Sequence, residues 1–184
     1  IFETIDTNVN GTVNMIRMLI KKNPSKFINI STDKATEPST LYGNTKLLGE
    51  KVTSWAGDHI KKTKCGTIRF GNVRESRGNV FEIWNEEKNN KKPLSITNPL
   101  MKRYFINAND VVDFILNSLT IIKIGEILIP KMKSFSIKTL ANEISKSQKI
   151  IGLRQGEKLE EKLLTDDEKN RAIEKKDMWI IKPY

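Results

Sequence analysis

Tyr42 and Lys46 stand four residues apart in the run Leu41-Tyr42-Gly43-Asn44-Thr45-Lys46. On a helix that spacing puts a phenol and an ammonium on one face, about 6 Å apart. A nearby cation favours the phenolate and lowers a tyrosine pKa from about 10. A tyrosine tuned in this way can act as a base near neutrality. The same spacing also describes an ordinary surface pair, so it gains weight only from its surroundings. Ten residues before Tyr42 comes Thr32, within Ser31-Thr32-Asp33-Lys34. That tetrapeptide brings hydroxyl, carboxyl and amine groups together, a set suited to moving protons.

The elements that must position these groups are legible around them. Ile5, Val9, Val13, Ile16 and Ile20 make a helical stripe that stops at Asn23-Pro24. Lys26-Phe27-Ile28-Asn29-Ile30-Ser31 is short and β-rich, so it reads as a strand. A polar loop with Pro38 leads to a helix from about Leu41 to Lys62, with Leu47, Leu48, Val52, Trp55 and Ile60 as its buried side. Cys65 to Phe70 reads as the next strand. This strand–helix–strand order predicts a parallel α/β sheet, whose ligands gather at the carboxyl ends of the strands. The loops after Ile30 and after Phe70 are therefore the places for a site.

Beyond Gly71 the rhythm loosens. A helix is expected from about Asn79 to Lys88, with strands near Leu94–Ile96 and Tyr104–Ile106. A further helix should carry Val111, Val112, Phe114, Ile115 and Leu119, capped by Asn107 or Asn109. Glu126–Ile129 and Met178–Ile181 read as strands, and Ser136 as the cap of another helix. Thr165 and Glu168 have capping-box spacing. The expected fold is α/β: the C-terminal part of a Rossmann-like parallel sheet over residues 1–71, then a smaller mixed lobe over 72–184. Some segments of that lobe should return to the sheet.

Composition narrows the chemistry. The 184 residues carry a net charge of +10, with 38% apolar and 29% charged side chains, which is globular composition. Lysines are scattered singly and in pairs, which argues against one basic stripe and for a solvated, lysine-rich surface. No nucleic-acid-reading motif accompanies them, so a nucleic-acid role would rest on charge alone. No apolar run approaches the about 20 residues of a membrane span. One cysteine, Cys65, and one histidine, His59, exclude an internal disulfide framework and argue against a zinc site. No metal is expected, and a reducing cytoplasm is.

Several ordered motifs resemble one family, the extended short-chain dehydrogenase/reductases acting on nucleotide sugars. They are Thr7-Asn8-Val9-Asn10-Gly11-Thr12, Ser31-Thr32-Asp33-Lys34-Ala35, Tyr42-Gly43-Asn44-Thr45-Lys46, Arg69-Phe70-Gly71-Asn72-Val73, Ser76-Arg77-Gly78, Ile96-Thr97-Asn98-Pro99 and Gly152-Leu153-Arg154-Gln155-Gly156-Glu157. Within the family the chain is most similar to inverting UDP-N-acetylglucosamine 4,6-dehydratases and related capsular polysaccharide proteins. The Thr-Asp-Lys tripeptide discriminates, because retaining dehydratases usually carry Thr-Asp-Glu there.

The resemblance implies a UDP-sugar substrate, an NADP (or NAD) cofactor and a homo-oligomeric full-length protein. It implies that Tyr42 takes the O4 proton and that Lys46 lowers the Tyr42 pKa and holds the cofactor ribose. Thr32 would bind O4, Lys34 would remove H5, and Asp33 would help the 6-hydroxyl leave. Asn8, Ser31, Asn72 and Val73 would join Tyr42 and Lys46 around the cofactor. Asn72, Arg77, Arg103, Arg154 and Glu157 would hold the sugar nucleotide.

The chain also departs from the family. It has no Gly-x-Gly-x-x-Gly or Gly-x-x-Gly-x-x-Gly loop, and it opens at Ile1 without an initiator methionine. A cofactor pyrophosphate normally lies against such a loop. The expectation is a C-terminal piece of a dehydratase, about three βα units short at about 30 residues each. Arg74-Glu75 replaces small or apolar residues and would either crowd the cofactor or pair internally. A same-superfamily epimerase and a truncated, non-catalytic sugar-nucleotide-binding remnant stand as alternatives.

Overall fold

The computed structural model describes residues 1–183. The chain forms two compact units. One holds residues 1–70, 112–131 and 162 onward; the other holds 71–111 and 132–161.

The chain opens as one helix over residues 2–22: α1 (Phe2–Ile5), a π-helical turn (Asp6–Asn10) and α2 (Gly11–Lys22). It stops where Asn23 adopts the left-handed conformation, φ 48°, and donates its N–H to the Leu19 carbonyl at 2.8 Å. Strand β1 (Lys26–Thr32) follows, then a 3₁₀ turn (Asp33–Ala35), helix α3 (Leu41–His59) and strand β2 (Lys64–Phe70). Next come β3 (Asn72–Val73), α4 (Val80–Asn89), β4 (Leu94–Ile96) and β5 (Lys102–Ile106). They are followed by α5 (Ala108–Ile121), β6 (Ile127–Pro130), β7 (Ser134–Ser136), α6 (Ile137–Ile144) and β8 (Gln148–Ile150). The chain closes with α7 (Asp166–Arg171), β9 (Ala172–Glu174) and β10 (Met178–Ile181).

Among the described residues, the sheet of the first unit runs β1-β2-β6-β10-β9. β1, β2 and β6 are parallel, with Lys26 opposite Lys64 and Thr32 opposite Phe70. β10 turns back antiparallel to both β6 and β9. β2 is buried from Cys65 to Phe70, as a central strand must be, while β1 forms the sheet edge. The second unit pairs β3 with β5 and β5 with β7, and separately β4 with β8. Its core is Trp84, Leu94, Ile96, Met101, Ile137, Leu140 and Ala141.

One expectation about α3 fails. Leu48 and Trp55 were assigned to its buried side, yet they are 45% and 52% exposed. The inward face is instead Gly43, Thr45, Gly49, Glu50, Thr53, Ala56 and Gly57. Small residues let the helix lie close to its neighbours: a methyl on Gly57 would sit 2.7 Å from the Gly125 nitrogen. Close approach, rather than apolar periodicity, decides which face turns inward.

A buried arginine ties this unit together. Arg69 on β2 donates through Nε and Nη2 to the Glu50 carboxylate at 2.9 and 2.6 Å. It also donates to both Glu168 oxygens at 2.8 and 2.9 Å and to the Leu163 carbonyl at 3.0 Å. Glu168 completes the expected capping box with Thr165. One guanidinium thus links the sheet, α3 and the C-terminal segment.

Candidate active site

β1 ends at Thr32, and the 3₁₀ turn bends the chain over the sheet edge. The Thr32 hydroxyl donates to Asp33 Oδ1 at 2.9 Å and accepts the Lys34 backbone N–H at 3.4 Å. Lys34 Nζ donates to the same Oδ1 at 2.9 Å. Asp33 is fully buried, while the Lys34 side chain is 33% exposed. Asp33 Oδ2 and Ser31 Oγ are buried without a protein hydrogen-bond partner. Orphaned polar atoms of this kind, at the carboxyl end of a parallel strand, mark a place built for a further polar group.

Helix α3 delivers Tyr42 to this cluster. Thr40 caps the helix, its hydroxyl accepting Gly43 N–H at 3.1 Å. Gly43 is required by sterics: a methyl there would lie 2.3 Å from the Lys34 carbonyl oxygen and 3.0 Å from Pro38 Cβ. The glycine lets the first turn of α3 lie against the turn that carries Lys34. Gly43→Ala is therefore expected to lower activity at least tenfold and to cost about 1–3 kcal/mol. Steady-state kinetics and urea unfolding of the full-length protein check both numbers.

The electrostatics of Tyr42 differ from the expectation. Its pKa is raised above the ordinary tyrosine value, chiefly by burial; Lys34 pulls it down and Asp33 pushes it up. Lys46 was expected to be the cation acting on this phenol. Instead its ammonium donates to the Ile30 carbonyl at 2.7 Å, bracing α3 against β1. Burial lowers the Lys46 pKa, offset in part by Glu50. The cation that favours Tyr42 ionisation is Lys34. Asn8, in the π-helical turn, donates through Nδ2 to Thr45 Oγ1 at 3.0 Å, and Thr45 Oγ1 donates to the Tyr42 carbonyl at 2.8 Å. Asn8 thus positions the helix that carries Tyr42.

The residues expected to hold the sugar nucleotide share one cavity in the second unit. It measures about 320 Å³ and is lined by Asn72, Val73, Arg77, Arg103, Arg154 and Glu157 over an apolar floor. Trp84, Met101 and Ile137 belong to that floor. Arg77 and Arg154 are exposed and form no ion pair among the described residues. Arg103 is committed differently: its guanidinium donates to the carbonyls of Lys102, Lys158 and Leu159 at 2.8, 2.9 and 3.2 Å. It anchors the segment carrying Arg154 and Glu157. Glu157 accepts the Arg154 N–H at 2.8 Å, closing that turn. Asn72 donates to the Tyr104 carbonyl at 3.0 Å.

Arg74 and Glu75 are accommodated internally. Arg74 stacks over Phe81 at 4.9 Å, and Glu75 accepts the Ala108 N–H at 2.9 Å at the start of α5. His59 stacks on Trp55 at 4.4 Å, and Cys65 is buried. Sequence reasoning overlooked Gly43 as a contact residue, although the glycine inside Tyr42-Gly43-Asn44 was its signal. It also overlooked Glu50 and Glu168 as the partners of Arg69, because no local spacing announces a pair 99 residues apart.

The chain is similar to several known proteins. A UDP-N-acetylglucosamine 4,6-dehydratase (inverting) of Campylobacter jejuni is 38% identical over 186 residues, covering 98% of this chain and 56% of that protein. A UDP-glucose 4-epimerase of Rickettsia rickettsii is 34% identical over 188 residues, covering 97% of this chain and 55% of that protein. The crystal structure of Pen from Bacillus thuringiensis superposes with a TM-score of 0.92 at 32% identity, over 98% of this chain and 60% of that one. The dTDP-glucose 4,6-dehydratase of Bacillus anthracis, solved in complex with NAD, shares the fold: TM-score 0.76, 17% identity, 90% of this chain and 61% of that one. The chain thus spans little more than half the length of the curated relatives it matches. The family described as polysaccharide biosynthesis protein matches residues 1–183. With the motifs in order and the match running along the whole described chain, this protein belongs to the polysaccharide biosynthesis protein family.

Proposed function

We propose that this chain is the catalytic and substrate-binding part of a nucleotide-sugar 4,6-dehydratase acting on UDP-N-acetylglucosamine with inversion at C5. The observation that carries the reading is the Thr32–Asp33–Lys34 cluster, with Lys34 bonded to buried Asp33 at 2.9 Å and acting electrostatically on Tyr42. The Campylobacter jejuni relative bears that activity in its name.

A nicotinamide dinucleotide, NADP or NAD, fits the site. Tyr42 is 44% exposed at the sheet edge, next to a strand end carrying the orphaned Ser31 hydroxyl. Tyr42 and Lys46 would hold the nicotinamide ribose, with Asn8 and Ser31 supporting them. When bound, the group supplies a reversible hydride acceptor. The Gly-rich phosphate loop would come from sequence outside these 184 residues, adding parallel strands beside β1.

The chain's own residues would manage the protons. Tyr42, a phenol whose pKa burial raises and Lys34 lowers, would first release its own proton to solvent and, as the phenolate, receive the O4 proton. Thr32 orients O4. One proton passed along the Lys34–Asp33 hydrogen bond turns the ion pair into an amine and a carboxylic acid. The amine then removes H5, which a 4-ketone acidifies, and the acid protonates the departing 6-hydroxyl, which leaves as water; C6 would regain the hydride taken from C4 and C5 a solvent-derived proton on the opposite face. Arg77 and Arg154 would bind the diphosphate, guanidinium forks matching phosphate oxygens. Arg77→Ala with Arg154→Ala is expected to raise KM for the sugar nucleotide by tenfold or more while changing kcat little; steady-state kinetics reads the split.

The test is product analysis. The full-length protein, incubated with UDP-N-acetylglucosamine and NADP or NAD in deuterated buffer, should form a 4-keto-6-deoxy sugar with deuterium at C5. The Rickettsia relatives named as UDP-glucose 4-epimerases support a second reading, epimerisation at C4. A C4 epimer with no 6-deoxy product would establish that reading and sink the dehydratase. Binding of the sugar nucleotide without any turnover would favour a non-catalytic remnant.

A further inference from the structure

In a parallel α/β unit each helix ends where the next strand begins. The sequence pairs that look scattered therefore converge. Lys21 and Lys22 end α2, Lys61 and Lys62 follow α3, and Lys64 opens β2 directly beside the start of β1. Lys123 lies in the loop before β6, held at this level by Gly125 N–H donating to the Cys65 carbonyl at 2.8 Å. Lys182 follows Ile181, which pairs with Ile127 at the start of β6.

These seven lysines occupy the amino end of the parallel strands in the first unit. All are exposed, and none is ion-paired among the described residues. Most nearby acids are committed: Glu50 and Glu168, which share a cavity with Lys182, are held by Arg69, Asp167 pairs with Arg171, and buried Glu126 accepts the Lys123 N–H at 3.0 Å, while Asp58 is exposed. The absence of a basic patch expected from the sequence is thus corrected by topology. Helix dipoles favour cations at helix C-termini and account for Lys21 and Lys22. They do not account for Lys64, Lys123 and Lys182, which lie on strand ends and a loop. Between the lysines stand Ile20, Ile121 and Ile124, exposed by 56%, 44% and 42%.

We propose that this end of the first unit docks on an anionic lipid bilayer. The lysines would lie over the phosphate headgroups and the isoleucines at the acyl boundary. Charge complementarity selects the partner class, and the isoleucines select a bilayer over a nucleic acid. Base recognition uses arginine forks or stacking aromatics; here Arg171 is tied to Asp167 and to the Lys182 carbonyl, His59 already stacks on Trp55, and the exposed cations are lysines. Docking in this way would hold the Thr32–Tyr42 edge about 20 Å above the membrane, the length of one strand. The proposal does not depend on the dehydratase reading.

Vesicle flotation tests it. The full chain should float with phosphatidylglycerol–phosphatidylcholine vesicles at moderate salt and not with phosphatidylcholine alone. A variant combining Lys21→Gln, Lys61→Gln, Lys62→Gln and Lys123→Gln should partition several hundredfold more weakly, at about fivefold per lysine. A second variant, Lys88→Gln, Lys91→Gln, Lys92→Gln and Lys149→Gln, removes the same charge from the other unit and should float like the parent. Thermal melts followed by circular dichroism confirm that both variants fold. Three results overturn the proposal: no flotation of the parent, equal loss in both variants, or stripping from vesicles by a DNA duplex at equal phosphate concentration. The second would mean diffuse net charge, and the third a nucleic-acid surface.

Discussion

Lys34→Ala in the full-length protein should lower formation of the 4-keto-6-deoxy sugar by about 10²–10⁴-fold, the range for losing a general base. The variant should still bind the sugar nucleotide, whose proposed ligands lie in the cavity of the second unit. It should also raise the Tyr42 pKa further, because Lys34 is the group that pulls it down. Near-ultraviolet tyrosinate absorbance, taken as a difference from Tyr42→Phe, reads that shift directly. A C4 epimerase abstracts nothing from C5, so near-parental turnover in Lys34→Ala would assign the chain to epimerisation. If the variant unfolds, pairing it with Asp33→Asn removes the uncompensated buried carboxylate and restores a testable protein.

Arg69→Met should cost about 3–5 kcal/mol, the range for removing one partner of a buried ion pair. Both Glu50 and Glu168 would lose their cation, since Arg69 donates to each. Arg69→Lys should not rescue it, because one ammonium cannot reproduce two bidentate contacts. The loss carries a pH signature. Burial pushes the Glu168 pKa up, but Arg69 overrides this and holds it below the ordinary glutamate value. The stabilisation is therefore complete above the unfolded-chain pKa of about 4.3 and fades as pH falls through the lower folded value. Urea titrations at neutral and acidic pH should show the gap between parent and variant narrowing on acidification. A gap that stays constant would mean that Glu168 contributes no charge to the pair.

Much of the fold could be read from local pattern. β4 and β10 run over Leu94–Ile96 and Met178–Ile181 as expected, and Thr165 and Glu168 form the anticipated capping box. β1, β2 and α6 lie within about a residue of their predicted starts, because turn and cap chemistry marks them. β3, β7, β8 and β9 were not anticipated: two or three residues carry no periodicity, and only long-range pairing creates them. The same contrast holds at the site. The Thr32, Asp33, Lys34 and Tyr42 constellation was legible from type and order. The partner of Lys46 was not, because Ile30 accepts through its backbone, which no side chain announces. Arg103 was read as a ligand residue and lines the cavity, but its bonds to the Lys158 and Leu159 carbonyls, set by the path of residues 152–161, had no signal in the sequence.

The antiparallel return of β10 onto β6 also sets an order of events during synthesis. β6 is complete at Pro130, but its free edge is capped only once Met178–Ile181 has been made. Until then a growing chain presents an unpaired strand edge, and before Leu163 and Glu168 emerge Arg69 is held by Glu50 alone. Nascent chains stalled before β10 should therefore be the species that recruit chaperones or aggregate. Deleting Met178–Ile181 should do more damage to yield than its length suggests.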